Sequence, residues 1–262
     1  MSVYKLDSIP QEKRTSNKRD RLIKMGIDVE DSDYIVALGG NPNTGKSTVF
    51  NNLTGLRQHT GNWPGKTVTR AMGAFEYKGK IYKVVDLPGT YSLLAVTEDE
   101  EIARDFILFG RPDVTVIVVD ATCLERNLNL VLQVLEITKN VVVDLNLMDE
   151  ARRHHLEVDI QKLSEILGVP VVPTAARYNK GMDELINSID EVASGRRKCV
   201  PYRIETESNA LQHAVDCLAA EIENIYPRLP NSRWLAMRLL DGDQKIIEAF
   251  RNGEFDKIVV NS

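Results

Sequence analysis

The chain has 262 residues, 43% of them hydrophobic, and a formal net charge of −5, enough apolar material for one large or two modest globular domains and too much for a disordered tail. The acidic balance argues against a protein that coats nucleic acid. No apolar run approaches the roughly 18 residues that cross a bilayer and no secretory leader opens the chain, so a soluble polypeptide is expected.

Residues 1 to 32 are polar, with a basic cluster at Lys13, Arg14, Lys18, Arg19, Arg21 and Lys24. The expectation is a solvated extension with a short helix and no chemistry of its own. The apolar run Tyr34 to Leu38 then predicts a strand. It feeds Gly40 to Ser47, Gly-Asn-Pro-Asn-Thr-Gly-Lys-Ser, which fits G-x-x-x-x-G-K-[ST], and the segment after it, Thr48 to Leu53, predicts a helix. Strand, glycine-rich loop and helix start are the context in which this pattern binds phosphate: the glycines let backbone N–H groups turn inward, Lys46 reaches the β and γ oxygens, and the Ser47 hydroxyl holds Mg²⁺. Asn41, Asn43, Thr44, Gly45, Lys46, Ser47 and Thr48 are the residues assigned to nucleotide here.

A long polar passage, Leu56 to Arg70, follows and contains Gly-Asn-Trp-Pro-Gly at 61 to 65 and Thr67. Its length predicts a mobile functional loop in which Trp63 either faces a partner or folds back on the domain. Ala71 to Tyr77 and Ile81 to Val85 predict a hairpin turning at Lys78 to Lys80. The second strand runs into Asp86-Leu87-Pro88-Gly89, a D-x-x-G at the carboxyl end of a strand, where open α/β sheets bind ligands. Thr97 and Glu100 form a capping box for a helix with Ile102, Phe106 and Phe109 on its apolar face, which accounts for the acidic run Glu98 to Glu101.

Buried strands at 114 to 119, 141 to 145 and 169 to 172 alternate with helices at 124 to 138, 156 to 167 and 182 to 192. This alternation predicts an α/β domain over 33 to 194, a doubly wound, mostly parallel six-stranded sheet with an antiparallel hairpin at one edge. The small, basic, proline-ended stretch 194 to 201 marks a boundary. Beyond it, 200 to 262 reads as a small all-α domain with helices at 210 to 225, 234 to 240 (capped by Asn231 or Ser232) and 244 to 251, stable only if it packs on the first. Three cysteines, Cys123, Cys199 and Cys217, lie too far apart for paired motifs and are read as thiols in a reducing cytosol. His154 and His155 are read as a solvated helix start rather than as metal ligands.

The base is addressed by Asn146-Leu147-Met148-Asp149, at the end of a strand, where guanosine-binding proteins carry N-K-x-D. An Asp149 carboxylate can accept from guanine N1–H and the exocyclic amine together, a donor pair that adenine lacks. Leu147 replaces the usual lysine, which predicts weaker binding and faster release. Ala175-Ala176-Arg177 occupies the place of the loop whose backbone N–H meets guanine O6.

The ordered set of phosphate loop, Thr67, D-x-x-G, N-x-x-D and A-A-R resembles the translation-factor-like branch of the Ras-like GTPases. The wording at 40 to 47, 53 to 58, 61 to 68 and 86 to 93 is similar to the cytosolic N-terminal region of the FeoB ferrous iron transporter family, strongly over 34 to 194, and Arg233-Trp234-Leu235-Ala236 is similar to that family's helical domain. The resemblance implies GTP and GDP as ligands, Thr67 as a switch I Mg²⁺ ligand beside Ser47, Asp86 holding the ion through water, and the Gly89 N–H on the γ-phosphate. Where Ras-like enzymes place a water-orienting glutamine this chain has Thr90, so slow hydrolysis is expected. Asn43 matches the asparagine that coordinates K⁺ in potassium-activated members, with carbonyls of Asn62 to Pro64 completing the shell. The catalytic set on this reading is Lys46, Thr67, Gly89 and Asn43.

The implied partners are GTP, a transmembrane pore in the same parent protein at the cytoplasmic face of a bacterial inner membrane, and a second copy in a homo-oligomer, with no nucleic acid. Two alternatives stay open: a stand-alone soluble potassium-activated GTPase of ribosome or RNA metabolism, and a nucleotide-gated interaction module whose hydrolysis is incidental.

Overall fold

In the computed structural model, residues 11–55, 58–94, 97–203, 208–227, 229 and 231–253 are described, with side chains from residue 18 onward. The expectations on the Lys13 and Arg14 side chains and on Leu56 fall outside these.

The apolar runs fold as a seven-stranded sheet built from β1 (Tyr34–Gly40), β2 (Gln58–Asn62), β3 (Thr69–Tyr77), β4 (Lys80–Asp86), β5 (Val114–Asp120), β6 (Val141–Asn146) and β7 (Val171–Pro173), in the order β2-β3-β4-β1-β5-β6-β7. Strands β4, β1, β5, β6 and β7 run parallel, and β2 and β3 are antiparallel additions beside β4. The β3–β4 turn uses left-handed Lys78 and Gly79, φ 51° and 70°, as a two-residue hairpin requires.

Both faces of the sheet are covered, which is why the central strands read as unbroken apolar runs. On one face Val36, Leu38, Val116, Val118 and Val142 pack under α2 (Lys46–Thr54) and α7 (Met182–Ala193). On the other, Ile35, Ala37, Ile117, Val119, Val143 and Leu145 meet α3 (Glu98–Asp105), α4 (Leu124–Ile137) and α6 (Ile160–Leu167). The capping box of Thr97 and Glu100 at α3 is present.

The last helices, α8 (Asn209–Ile225), α9 (Ser232–Leu240) and α10 (Gln244–Arg251), pack on the first region rather than standing apart, and Trp234, Leu235 and Ala236 are buried in the same core cluster as α4. Asn231 joins the two regions. Its side-chain oxygen accepts from Trp234 N and caps α9, while its Nδ2 donates to the carbonyls of Glu136 and Ile137 at 2.6 and 2.9 Å, satisfying acceptors that the end of α4 leaves open. Among the described residues no helix is long and apolar enough to cross a membrane.

Three expectations are corrected, and the open one on Trp63 is decided. The sheet has seven strands, not six, because β2 crosses the passage expected to be a mobile loop; its side chains are mostly exposed, and it is held by the backbone ladder to β3 and by Gln58, whose amide donates to the Asn51 and Thr54 side chains and the Gly55 carbonyl. Trp63, directly after it, is 5% exposed and packs edge-on to Phe106 at 5.6 Å, so it folds back. The extension is not a solvated tail. Leu22 of α1 (Gln11–Lys24) and Ile27 and Val29 after it enter the main core, Lys18 of α1 pairs with Asp113 at 2.5 Å, and the Met25 carbonyl accepts from Arg70 Nη1. Lastly, the helix expected from 156 begins at Ile160, capped by Asp159. A separate short α5 (Met148–Arg153) precedes it and ends at His154 and left-handed His155, both exposed.

Candidate functional site

The phosphate loop leaves the carboxyl end of β1 at the middle of the sheet. Gly45 caps α2 in a left-handed conformation, φ 83°, and any Cβ there would collide with Asn146 Nδ2. At Gly40 a Cβ would lie 2.6 Å from the Val118 carbonyl. Each glycine is thus required by close approach of another strand, and the loop wraps against β5 and β6. Thr44 donates its hydroxyl to the Asn41 carbonyl at 2.9 Å, and both residues are buried. Ser47 and Thr48 are exposed at the helix start, and Asn43 is exposed with φ 68° and makes no side-chain hydrogen bond among the described residues. The local backbone bonds that would make Asn43 an ordinary turn residue are therefore missing.

Lys46 Nζ meets Asp86 Oδ1 at 2.5 Å, each side chain largely buried. Burial raises the Asp86 carboxyl above the ordinary carboxylate range, and Lys46 pulls it part of the way back. An ammonium and a carboxylate facing one another at the carboxyl edge of a parallel sheet can take a polyphosphate on the one and a cation on the other. Gly89 lies over Pro42 of the loop, with its Cβ position 3.6 Å away. The Thr90 N–H donates to the Gly40 carbonyl at 3.2 Å, while its hydroxyl donates to the Ser92 carbonyl at 2.7 Å. That hydroxyl is committed to the turn and is not offered to a water.

The base side is built by Asn146. Its Nδ2 donates to the Thr44 carbonyl, and its Oδ1 accepts the Ala176 N–H, each at 3.0 Å, so one amide ties the phosphate loop to the A-A-R loop. Left-handed Leu147, φ 61°, starts α5. Its Cδ2 lies 3.9 Å from the Cβ position of Gly45, so an apolar approach to the phosphate loop replaces the polar one of the usual lysine. Asp149 follows, and its Oδ1 is buried without any hydrogen-bond partner. A buried carboxylate oxygen left unpaired is costly, and a donor pair on a ligand edge would relieve it. Of the three residues in the A-A-R loop, Ala175 and Ala176 already spend their N–H groups on Lys180 and Asn146.

Switch I residues are held elsewhere. The Thr67 hydroxyl donates to Glu98 Oε2 at 3.4 Å, not to any group around Ser47 or Asp86, and the Trp63 carbonyl accepts from the Lys66 N–H. Lys66 sits 3.6 and 3.7 Å from Glu98 and Glu101, and Lys245 of α10 reaches Glu101 at 3.0 Å. Burial raises the Glu101 carboxyl, and the hydrogen bond and charge of Lys245 together with the charges of Lys66 and Arg104 outweigh it, so the net shift is downward. The acidic run is therefore both a capping box and a receptor for two lysines, the second role being one that sequence spacing alone did not expose. Among the described residues no group of three or more His, Cys, Asp or Glu side chains could hold a metal ion.

Comparison with known proteins adds the following. The family profile described as ferrous iron transport protein B matches residues 34–189, and that of the FeoB cytosolic helical domain matches 208–261. The Fe(2+) transporter FeoB of Escherichia coli (strain K12) is 40% identical over 213 residues, which are 79% of this chain and 27% of that protein; the chain spans about a quarter of the relative's length. The solved cytosolic domain of L. pneumophila FeoB superimposes with TM-score 0.76 at 36% identity, covering 86% of this chain and 88% of that one. The T. maritima FeoB cytosolic domain in a GDP form gives 0.75 at 34% identity, covering 86% and 85%.

Proposed function

This chain belongs to the ferrous iron transport protein B family, FeoB, and on that premise we propose that it is a GTP-binding, slowly GTP-hydrolysing module that reports its nucleotide state to a membrane pore in the same parent protein. The observation that carries the guanine assignment is the buried, partnerless Asp149 Oδ1, held beside the phosphate loop through Asn146. The reading divides the chain into a G domain over 33–194 and a helical domain over 200–262, with Asn231 and the Lys245–Glu101 pair as the joints between them.

In this site the backbone of Asn41 to Thr48 receives the phosphates. Lys46 releases Asp86 and turns to the β and γ oxygens, and Asp149 accepts from guanine N1–H and the exocyclic amine. The Arg177 N–H is left for guanine O6, since its two neighbours are engaged. Ser47, Asp86 and, once freed from Glu98, Thr67 would hold Mg²⁺, which supplies charge neutralisation on the phosphate oxygens. The exposed, unbonded Asn43 side chain suits K⁺, and the Asn62 to Pro64 carbonyls would complete the shell only after leaving their present places, where that of Trp63 accepts from the Lys66 N–H. Hydrolysis is attack of water on the γ-phosphorus with loss of GDP. Thr90 cannot orient that water while its hydroxyl is bonded to Ser92, so rate comes from charge at Lys46 and the Gly89 N–H.

GTP turnover is expected to rise several-fold when K⁺ replaces Na⁺, roughly the effect of one added charge contact on the developing phosphate charge, and Asn43→Ala to remove the difference. Phosphate release measured in matched salts decides it; equal rates for the parent chain would sink the potassium reading.

For the pore, antibody against this domain is expected to find the native antigen in membranes at a mass well above 29.5 kDa, since this chain is 27% of its relative. A soluble antigen near that mass would leave the GTPase chemistry and favour a stand-alone enzyme with a separate partner. The same fraction on a native gel tests self-association. The net charge of −5 counts against the ribosome and RNA reading.

A further inference from the structure

Strand β6 reads as a buried apolar run except at Asn146 of the N-x-x-D motif and at Asp144, which is fully buried and belongs to none of the motifs. Its Oδ1 is 2.5 Å from the Thr174 hydroxyl, that hydroxyl is 3.1 Å from Asn146 Oδ1, and Asp144 Oδ2 has no partner. Asp144, Thr174 and Asn146 are each no more than 1% exposed, so bulk solvent does not reach their hydrogen bonds.

Proton counting orders this chain. Asn146 Nδ2 donates to the Thr44 carbonyl and Asn146 Oδ1 accepts from the Ala176 N–H, which fixes the amide so that the atom facing Thr174 is an acceptor. Thr174 has one hydroxyl proton and two acceptors in reach. Were Asp144 ionised, it would take that proton and leave two lone pairs facing each other at Asn146, with a second buried anionic oxygen unpaired. Were Asp144 protonated, its O–H would donate to Thr174, and the Thr174 O–H would donate onward to Asn146. Only the second arrangement satisfies every short contact.

We propose that Asp144 is a proton-bearing positioning residue of the base site: its carboxyl O–H orders Thr174, and Thr174 in turn locks the Asn146 amide that joins the phosphate loop to the A-A-R loop. The proposal rests on the reading of Asn146 and Asp149 as the guanine site. It makes guanine nucleotide affinity depend on the protonation of a residue that touches no nucleotide.

Burial drives the Asp144 carboxyl up to about 7, and the hydrogen bond from Thr174 works against that rise. No charge contributes. Its register partners on β5 and β7 are Val118 and Val172. On the two helices over that face, Lys46 is paired with Asp86, Asp183 and Glu184 are exposed, and Asp190 is bonded to Tyr82, Lys78 and Arg196.

The test is calorimetric binding of GDP to the full chain from pH 5.5 to 8.5, with Asp144→Asn, Thr174→Val and Thr174→Ser measured alongside. The ionisation of GDP itself is common to all, so the ratio between variants isolates the relay. The parent chain is expected to lose roughly two- to tenfold in affinity relative to Asp144→Asn as pH rises through neutrality, the worth of one hydrogen bond. The amide N–H of Asp144→Asn keeps the chain ordered at every pH. Thr174→Val should bind more weakly throughout and lose the bend, whereas Thr174→Ser should keep it. Parallel profiles for the parent and Asp144→Asn, with tight GDP binding, would overturn the relay alone; so would a bend surviving in Thr174→Val if Asp144→Asn does not fold. Absence of GDP binding in the parent chain at any pH would overturn the base-site reading and the relay with it.

Discussion

Lys46→Ala is expected to weaken GTP binding roughly 10- to 100-fold, the loss of charge-assisted hydrogen bonds to phosphate, and to lower turnover by about 10² to 10³ more, since the same cation faces charge that grows in the transition state. The free protein should suffer as well. Lys46 and Asp86 are paired and largely buried, so removing the ammonium leaves a carboxylate whose burial already raises it with nothing to offset the cost. Its ionised form becomes harder to keep in the folded state. The variant should therefore gain stability on acidification relative to the parent: the raised carboxyl holds its proton in the folded chain, and that contribution fades as pH climbs through the folded value. Calorimetry with GTP and GDP, single-turnover phosphate release and melts between pH 5 and 8 check the three parts. Unchanged nucleotide affinity would remove Lys46 from the phosphate site.

Asp149→Asn is the second large effect, and it concerns choice of base. The parent carboxylate presents two acceptors, one of them buried without a partner. Asparagine presents one acceptor and one donor, so guanine N1–H is still met while the exocyclic amine faces another N–H. GDP affinity is expected to fall roughly 100-fold or more, because a site built around specific donors loses far more than the contact it forgoes. Xanthosine diphosphate, with a carbonyl where guanine has the amine, should gain over GDP in the variant and lose to it in the parent. Competition binding of GDP, XDP and ADP measures all of this at once. If the variant keeps the parent's preference for GDP, Asp149 does not face the base.

The phosphate loop, D-x-x-G and N-x-x-D were legible because each is a short run with a backbone demand, and the alternation of buried strands with amphipathic helices placed them at one edge of a parallel sheet. Other features had no such signature. Strand β2, Gln-His-Thr-Gly-Asn, is mostly exposed and exists through its ladder to β3, a long-range pairing that leaves no apolar period in the sequence. Leu22, Ile27 and Val29 sit in a stretch dense in charge with no sustained apolar period, and only their burial in the main core separates docked segment from tail. The break between α5 and α6 follows from left-handed His155 and the Asp159 cap; that Asp is a capping residue lying inside the stretch whose apolar spacing reads as one helix from 156. Asp144 was hidden by its setting, although an acid inside a buried strand is itself a signal. The Lys66–Glu101–Lys245 cluster joins three distant stretches and could not be read from any of them.

Asn146 and Thr44 are 102 positions apart, and Asn52 and Ala176 are 124 apart. Contacts of that separation form only after long loops have closed, and each parallel strand pair needs its own crossover, so such sheets are slow to complete. On the ribosome the glycine loop emerges well before β6 has been synthesised, and it lacks its backstop until the far half of the sheet arrives. On the proposed reading, guanine nucleotide would therefore bind only chains in which both halves of the sheet are in place. At a hundred times its dissociation constant it would deepen the native well by about 2.7 kcal/mol, making the cellular nucleotide pool a folding aid as well as a signal.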